Sequence, residues 1–527
     1  MSDRNTAGDY PAYRAPAGNE RALITSVPSG LVPEALIERL RVREPEHVTA
    51  LEQPLLCGTR LDAVRAQARC EAVQLAVRFT SRYRHVGDLG FCRIAEDVAA
   101  ADVNGLQFPG SQFQAAQRPT KPIVLTGHQP ELFHPGVWFK NFLAADLANR
   151  LGGIAINFLV DNDICRSTAV RVPSASTMGG VIAQSIPFDA QRDAIPWELR
   201  QPLSRETWDS FPQRVVASLQ TISTRKHRGN RPVSEPGGLV LEDLWPLATA
   251  GLDATNRLGL AISQGRHQLE QALGLKTLEV PLSWLADTES FARFCLAILD
   301  ELFNFQEVYN NQLDRYRQAH QIRNHAHPVP PLERQYEWLE APLWVYRKAA
   351  PTRQRLWVSR RGGQLCLTDR AGWQACIEGS LDGTQAVDQW RELLADGVCL
   401  RPRALLTTMY TRLFVSDLFV HGIGGGKYDQ LTDAIIADFF SLLPPPMVVA
   451  SATVRLPLDA EVVKHGSRAE TEQQIQRQRE RIWRAKFHGD EILLDDESLG
   501  TQSDENTFAD ETIAGENVSS EKLTDEV

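Results

Sequence analysis

The sequence predicts an α/β protein built on a parallel sheet. Its 527 residues are 43% hydrophobic, which is enough for two or three domains with buried cores. Residues 123–160 run in the order strand, turn, helix and strand, which is the order of a βαβ unit with a right-handed crossover. The second strand, 154–160 (IAINFLV), is almost wholly apolar, as in a parallel strand covered on both faces.

Other elements follow from the spacing of apolar residues. Apolar side chains recur with helical spacing in 61–83, which predicts a helix, and a charged amphipathic pattern predicts another over 467–487. Two glycines, Gly362 and Gly363, separate apolar strands and indicate a β-hairpin. The remaining predictions are helices over 33–42, 253–273, 288–320 and 385–396, a strand over 447–456, and either a strand or a buried helix over 412–420.

These elements divide the chain into a two-part core with a helical insertion between the parts. Both ends are polar, and the C-terminal end is rich in acidic residues. The predicted divisions are a flexible N-terminus (1–30), the first part of the core with N-terminal helices (31–249), a helical insertion (250–330), the second part of the core with the hairpin and a glycine-rich loop (331–466), a charged helix (467–488) and a disordered acidic tail (489–527).

Charge and composition exclude several classes of protein. The formal net charge is −10, but 489–527 alone carries 13 acidic residues and one lysine, so the rest of the chain has a net charge of +2. A nucleic-acid binder should carry a basic surplus, so none is expected. We find no apolar run of about 18 residues and no signal peptide, which favours a cytoplasmic protein without membrane spans. Eight cysteines without a CxxC pair predict buried free thiols and no zinc site.

The turn 126–136 (TGHQPELFHPG) is the first candidate site. It follows a predicted parallel strand, and ligands of such sheets bind beyond the carboxyl ends of the strands. The helix that follows directs its unpaired N–H groups at the turn, which favours a carboxylate or phosphate. Gly127 would let the backbone approach a ligand, while His128, Gln129 and His134 would donate hydrogen bonds. The alternative is a tight turn whose polar residues only cap the helix.

The second candidate is the acidic pair that follows the apolar strand, Asp161 and Asp163 in LVDNDICRST. Carboxylates at a strand end can bind an amine, a ribose hydroxyl or a metal ion. Aspartate and asparagine also favour turns for backbone reasons alone, so a turn without a ligand is the other interpretation.

The third candidate is 421–433 (HGIGGGKYDQLTD). Three consecutive glycines can form a backbone nest for an anion, and a lysine can contact a phosphate as a point charge. The spacing does not fit GxxxxGK[ST], so this is not a P-loop. A flexible loop before a helix is the alternative. The candidate residues are His421, Gly424, Gly425, Gly426, Lys427 and Asp429.

Two of these segments resemble the bacillithiol synthase family. TGHQPELFHPGVWFK is similar to the Thr-Gly-Gln-Gln segment of that family, with His128 where the family has its first glutamine. RLFVSDLFVHGIGGGKYDQLTD, followed by MVVASATVRL, resembles its late strand–loop–helix–strand block. The resemblance covers about 120–460 and implies a Rossmann-like core of the class I synthetase type. It also implies a ligase or transferase that joins a cysteine-like amino acid to an amine of a small sugar-derived substrate.

The predicted catalytic residues are His128, Lys427 and Asp163. His128 and Lys427 would stabilise developing negative charge, and Asp161 or Asp163 would orient the amine. The cofactor stays open, with ATP or another nucleotide as the candidate, and so does a homodimer. The alternative function is a non-catalytic protein that binds a nucleotide or sugar phosphate in the same pocket.

Overall fold

The computed structural model describes residues 13–16, 21–27, 55–56, 58–86, 121–132, 134–175, 181–190, 194–222, 240–322 and 329–454. The helix predicted over 33–42, the charged helix 467–488 and the acidic tail 489–527 lie outside these residues. Within the described ranges, no helix is both long enough and apolar enough to cross a membrane.

The described chain combines sixteen strands with twelve α-helices. The strands are β1 (Arg21–Val27), β2 (Leu55–Leu56), β3 (Thr59–Arg60), β4 (Ile123–His128), β5 (Ile154–Leu159), β6 (Ala169–Ala175), β7 (Val181–Pro187), β8 (Thr277–Pro281), β9 (Arg334–Gln335), β10 (Trp338–Arg347), β11 (Ala350–Arg361), β12 (Gln364–Thr368), β13 (Gln374–Ile377), β14 (Val398–Pro402), β15 (Leu418–His421) and β16 (Met447–Thr453). The helices are α1 (Leu61–Thr80), α2 (Pro135–Arg150), α3 (Arg205–Asp209), α4 (Phe211–Gln220), α5 (Val240–Thr255), α6 (Leu258–Ala272), α7 (Leu282–Ala286), α8 (Glu289–Asp300), α9 (Leu302–Ala319), α10 (Thr384–Ala395), α11 (Ala404–Tyr410) and α12 (Ile423–Phe440).

A six-stranded sheet forms the centre of the fold, in the order β1-β16-β15-β4-β5-β8. All its pairings are parallel except that of β1 with β16. When the five parallel strands are numbered along the chain, their spatial order is 3-2-1-4-5. The order therefore reverses between β4 and β15, and such a reversal opens a crevice at the carboxyl ends of the strands.

Apolar side chains cover both faces of this sheet. All six residues of β5 are buried, as the apolar run predicted. On one face, Val124 and Ala155 pack with Leu143 and Leu147 of α2. On the other face, alternate strand residues such as Leu125 join a large cluster with α1 and α8. This alternation places Val124, Thr126 and His128 on the face that α2 covers.

The second sheet is antiparallel, in the order β13-β12-β11-β10-β14, with β9 paired to β10. The predicted hairpin joins β11 to β12, and it is confirmed. Gly362 and Gly363 have φ angles of 57° and 82°, which side chains with a Cβ rarely adopt. Strands β6 and β7 pair separately and pack near α4.

Three predictions need correction. Part of the N-terminus predicted as flexible is β1, which pairs along its whole length with β16. The insertion predicted as helical contains β8, the edge strand of the parallel sheet. The segment 412–420 is neither one strand nor one helix, because a π-helical turn (Thr411–Val415) precedes β15. Short strands such as β8 are stabilised by pairing with distant segments, so local patterns do not identify them.

Candidate functional site

The carboxyl ends of β4 and β15 meet where the strand order reverses, and a buried lysine lies there. Lys140, on α2, is only 4% exposed. Its Nζ donates a hydrogen bond to the Gly127 carbonyl of β4 over 2.7 Å. A Cβ placed on Gly422, directly after β15, would lie 3.8 Å from Lys140 Cδ. The lysine side chain therefore bridges the two strand ends.

Burial makes this lysine a weaker base than usual. Removal from water and, to a smaller extent, the nearby Arg266 guanidinium together lower the pKa of Lys140 to about 8. An ammonium of this kind can hold an anion near neutral pH and can also exchange a proton there. The sequence analysis did not select Lys140. Its spacing to Leu143, Ala144 and Leu147 puts it in the apolar stripe of α2, and that was an available signal.

The three glycines lie in the first turn of α12 and not in a loop, which corrects the prediction. The helix begins at Ile423, and its N-cap Gly422 is extended, with φ −79° and ψ 171°. No side chain of the described residues caps this end. The first backbone N–H groups of a helix have no partner within the helix. Because Gly422 lies beside the Lys140 side chain, these N–H groups and the lysine are near the same end of α12, which favours an anion there.

Each glycine of the triplet has its own surroundings. A Cβ on Gly425 would lie 2.6 Å from His421 Nδ1, and one on Gly426 would lie 2.4 Å from Val449 Cγ2. Gly424 is exposed and has no neighbour within 4 Å of such a Cβ among the described atoms. Close packing of α12 on β15 and β16 therefore explains two of the glycines, whereas no described atom restricts the side chain at position 424.

His421 ends β15 and forms a buried dyad with Asp429. Its Nε2 lies 2.8 Å from Asp429 Oδ2, and Arg412 Nη1 donates to the same oxygen over 2.7 Å. Burial alone would raise the pKa of Asp429, but Arg412 and His421 hold it below its usual range. Asp429 is thus a carboxylate that accepts a hydrogen bond from the protonated Nε2 of His421. The other ring nitrogen, Nδ1, is then an acceptor and faces Gly425.

The two histidines of the first turn have different roles. Burial and the charge of Lys140 lower the pKa of His128 to about 3, so its imidazole is neutral. His128 Nδ1 lies 3.2 Å from the Gln129 carbonyl. His134 is the N-cap of α2, because its Nδ1 accepts from Gly136 N over 3.0 Å. His134 therefore has the capping role that the sequence left as the alternative.

Gly127 accommodates an aromatic ring from the neighbouring strand. A Cβ at this position would lie 2.5 Å from Phe158 Cζ. The prediction that Gly127 allows close approach of a ligand is therefore replaced by a packing reason. Its carbonyl is still part of the site, as the acceptor for Lys140.

The acidic residues after β5 also separate into two roles. Asp161 is buried, and its carboxylate accepts from the backbone N and the Oγ of Ser283. It anchors the start of α7, and each of its oxygens accepts one of these bonds, so its contact with an amine stays a prediction. Burial and the nearby Glu198 raise the pKa of Asp161 to about 7. Asp163 is 31% exposed at its side chain and accepts from Gln129 Nε2 and Arg353 Nη1.

Glu131 and Tyr428 lie close to Asp163. Burial raises the pKa of Glu131, and the charge of Asp163 raises it further. Burial also raises the pKa of Tyr428, with Asp429 and Asp163 acting in the same direction. Tyr428, in the first turns of α12, is thus near the acidic end of β5 as well as the His421 dyad.

Lys427 lies elsewhere on α12. Burial lowers the pKa of His320, and the charge of Lys427 contributes to that shift. His320 follows α9, so Lys427 is on the side of α12 toward that helix. The cationic and imidazole groups that act on His128 are Lys140, His134 and Arg266. Lys140 is therefore the cation with the largest effect on the pKa of His128, whereas the sequence analysis paired His128 with Lys427.

A buried ionic cluster connects the elements around Lys140. Arg266 on α6 pairs with Glu270 over 2.6 Å and also with Glu279 of β8. Glu270 accepts from two α2 residues, Trp138 and Asn141. Arg266 thus ties α6, α2 and β8 together while adding positive charge near Lys140.

The same cluster holds three residues with the chemistry of metal ligands. Ligand atoms of His267, Glu270 and Glu279 lie within 4.8 Å of one another. Arg266 contributes positive charge to both carboxylates, and His267 Nδ1 is hydrogen-bonded to Tyr83 at 2.7 Å. Arg266 thus neutralises part of the negative charge, but Glu270 Oε2 and Glu279 Oε2 have no hydrogen-bond partner among the described residues. No step of the function below depends on a metal ion there.

No protein-family model matches the chain, and no curated protein matches it. The function proposed below therefore depends on the geometry of the site.

Proposed function

We propose that this protein is a Rossmann-like enzyme of the ligase or transferase type, which binds a small anionic substrate and joins it to an amine. The parallel strand order 3-2-1-4-5 supports the Rossmann-like assignment. The reversal of that order lies beside the first turn of α12, so the crevice and an anion-attracting helix end coincide.

The observation that carries the proposal is the convergence of Lys140 and the start of α12 at Gly422. A buried ammonium and a row of unpaired N–H groups together bind a carboxylate or phosphate far better than either does alone. Lys140 is held in place by its 2.7 Å bond to the Gly127 carbonyl, so little order is lost when the anion arrives.

The amine half of the reaction fits the acidic end of β5. Asp163 and Glu131 would attract a substrate ammonium, and Gln129 holds Asp163 in place through its 3.0 Å bond. An amine must lose a proton before it attacks a carbonyl carbon. The acceptor Nδ1 of His421 is the group suited to receive that proton, because Lys140 as an ammonium holds the anion and Asp429 would stabilise the imidazolium that forms.

A cysteine-like amino acid and a sugar-derived amine remain the proposed substrates. A nucleotide phosphate would use the same two anion-binding features, so ATP or another nucleotide is the proposed activating partner. His128, neutral and on the α2 face of β4, would donate or accept a hydrogen bond without adding charge.

The test is binding of anions to matched lysine variants. Wild type should show higher thermal midpoints with ATP, ADP or inorganic phosphate, and Lys140→Met should lose at least tenfold in affinity for the anion that binds. Lys427→Met is the matched control, since it makes the same substitution at a lysine on the side of α12 toward α9 and should retain binding. The site would be refuted if both variants lost affinity for the anion equally, or if Lys140→Met bound the anion as tightly as wild type.

A binding protein without turnover is the second candidate, and one observation favours it. Asp161 and Asp429 are both occupied by protein partners, so few carboxylates remain for acid–base chemistry. Incubation with ATP, cysteine and amino sugars, followed by mass spectrometry, separates the two. A condensed product that is absent with Lys140→Met supports the enzyme, whereas phosphate binding without product supports the binding protein.

A further inference from the structure

Two cysteines face each other across the edge of the antiparallel sheet. Cys366 on β12 and Cys376 on β13 are direct partners in the antiparallel register. Their sulfur atoms lie 3.2 Å apart. Both are free thiols, Cys366 buried and Cys376 exposed.

The backbone already meets the geometry of a disulfide. Directly opposed residues of antiparallel strands have Cα atoms about 4.5–5.5 Å apart. Disulfides span Cα separations of about 4.4–6.8 Å. Strand pairing on both sides, Leu365 with Ile377 and Leu367 with Ala375, holds this register. A bond between the two sulfurs would therefore require rotation of side chains rather than movement of the strands.

The two thiols differ in their exposure to solvent. Among the six described cysteines, Cys376 is the exposed one, and Cys70 is half-buried. A reagent in solution can reach Cys376 but not the buried Cys366, which sits in position to attack Cys376 afterwards. The remaining described cysteines, Cys165, Cys295 and Cys399, are buried.

We propose that Cys366 and Cys376 are a modification site, at which a small-molecule disulfide such as oxidised glutathione forms a reversible cross-strand disulfide. The Cys376 thiolate attacks the oxidised reagent, forms a mixed disulfide and releases one thiol. The Cys366 thiolate then attacks Cys376 Sγ and releases the second thiol. Two protein thiols are oxidised to one disulfide, one molecule of reagent is reduced to two thiols, and both protons leave with these products.

The hydrogen bond between the two thiols affects how readily Cys376 reacts. It raises the pKa of Cys376, with burial as a smaller contribution, so little thiolate is present at neutral pH. Oxidation is therefore slow at neutral pH and faster above it. The product fastens β13, the last strand of the sheet, to β12, and closes a short loop that includes Arg370 and Gly372 at positive φ.

The experiment treats the full-length protein with oxidised glutathione, blocks remaining thiols in denaturant and maps peptides by mass spectrometry. The reduced chain has eight cysteines, and we expect two to disappear into a peptide that joins 366 to 376 without bound glutathione. Dithiothreitol should restore both. Cys366→Ser should instead keep one glutathione on Cys376, because the resolving thiol is gone. Cys70→Ser is the control and should form the same linked peptide as wild type.

Three outcomes would overturn the proposal. Wild type that retains glutathione on Cys376 with Cys366 reduced would show that the second step does not occur. A linkage to another cysteine would refute the pairing. Wild type and Cys366→Ser that both remain fully reduced above neutral pH would show that Cys376 does not react. Circular dichroism of each variant checks that the fold is intact.

Discussion

The first turn of α12 offers a test in which two neighbouring glycines should respond with opposite sign. Gly424→Ala and Gly425→Ala each replace a glycine near the start of one helix, so each should gain about 0.5–1 kcal/mol of helix stability. The alanine methyl at 424 meets open space, whereas at 425 it would lie 2.6 Å from His421 Nδ1. The comparison therefore isolates the contact with His421.

The expected magnitudes follow from that contact. Overpacking costs about 1–3 kcal/mol, and displacement of His421 would weaken its 2.8 Å hydrogen bond to Asp429, which involves a charged group and contributes about 1.5–3 kcal/mol. After subtraction of the helix gain, the sum of these two costs means that Gly425→Ala should lower the free energy of unfolding by about 1.5–5.5 kcal/mol. Gly424→Ala should raise it by about 0.5–1 kcal/mol.

Urea unfolding of the single variants measures these changes, and a double-mutant cycle with His421→Ala identifies the cause. In the His421→Ala background, Gly425→Ala has no imidazole to displace, so its cost should disappear. The reasoning is refuted if Gly425→Ala is as stable as Gly424→Ala, or if its cost persists when His421 is absent.

Two further predictions concern buried charges. The pKa of Lys140 is about 8 in the folded protein and 10.5 ordinarily, so the unfolded chain binds more protons between these values and stability should rise with pH there. Lys140→Met should remove that rise. Urea unfolding of both proteins at about pH 7.5 and about pH 10 measures it, and an equal change of midpoint in wild type and variant would contradict the prediction. Arg266→Ala should destabilise by about 3–5 kcal/mol, since it leaves Glu270 and Glu279 buried without their cation. The exposed Arg205→Ala, which loses surface pairs with two aspartates, should cost only about 0–1 kcal/mol.

Local patterns predicted the elements whose signal is contained in a short stretch of chain. The apolar run of β5, the glycine pair of the β11–β12 hairpin and the strand β16 all occur where the sequence predicted them. In each case burial or turn geometry restricts the residue types directly. The turn 126–136 was likewise expected at the end of a parallel strand. Strand β4 does end in this segment, but it continues to His128, so Gly127 and His128 are strand residues and the turn begins after them.

The sequence by itself determined that this is an α/β chain with a parallel sheet, because hydrophobic periodicity and turn chemistry act over a few residues. Only the tertiary structure decided which polar groups meet. Lys140 of α2 lies beside Gly422 after β15, and Lys427 lies toward α9. The carboxylate of Asp161 accepts a hydrogen bond from Ser283. These outcomes depend on strand order and on the face of each helix that packs inward, which are set by contacts between residues more than a hundred positions apart.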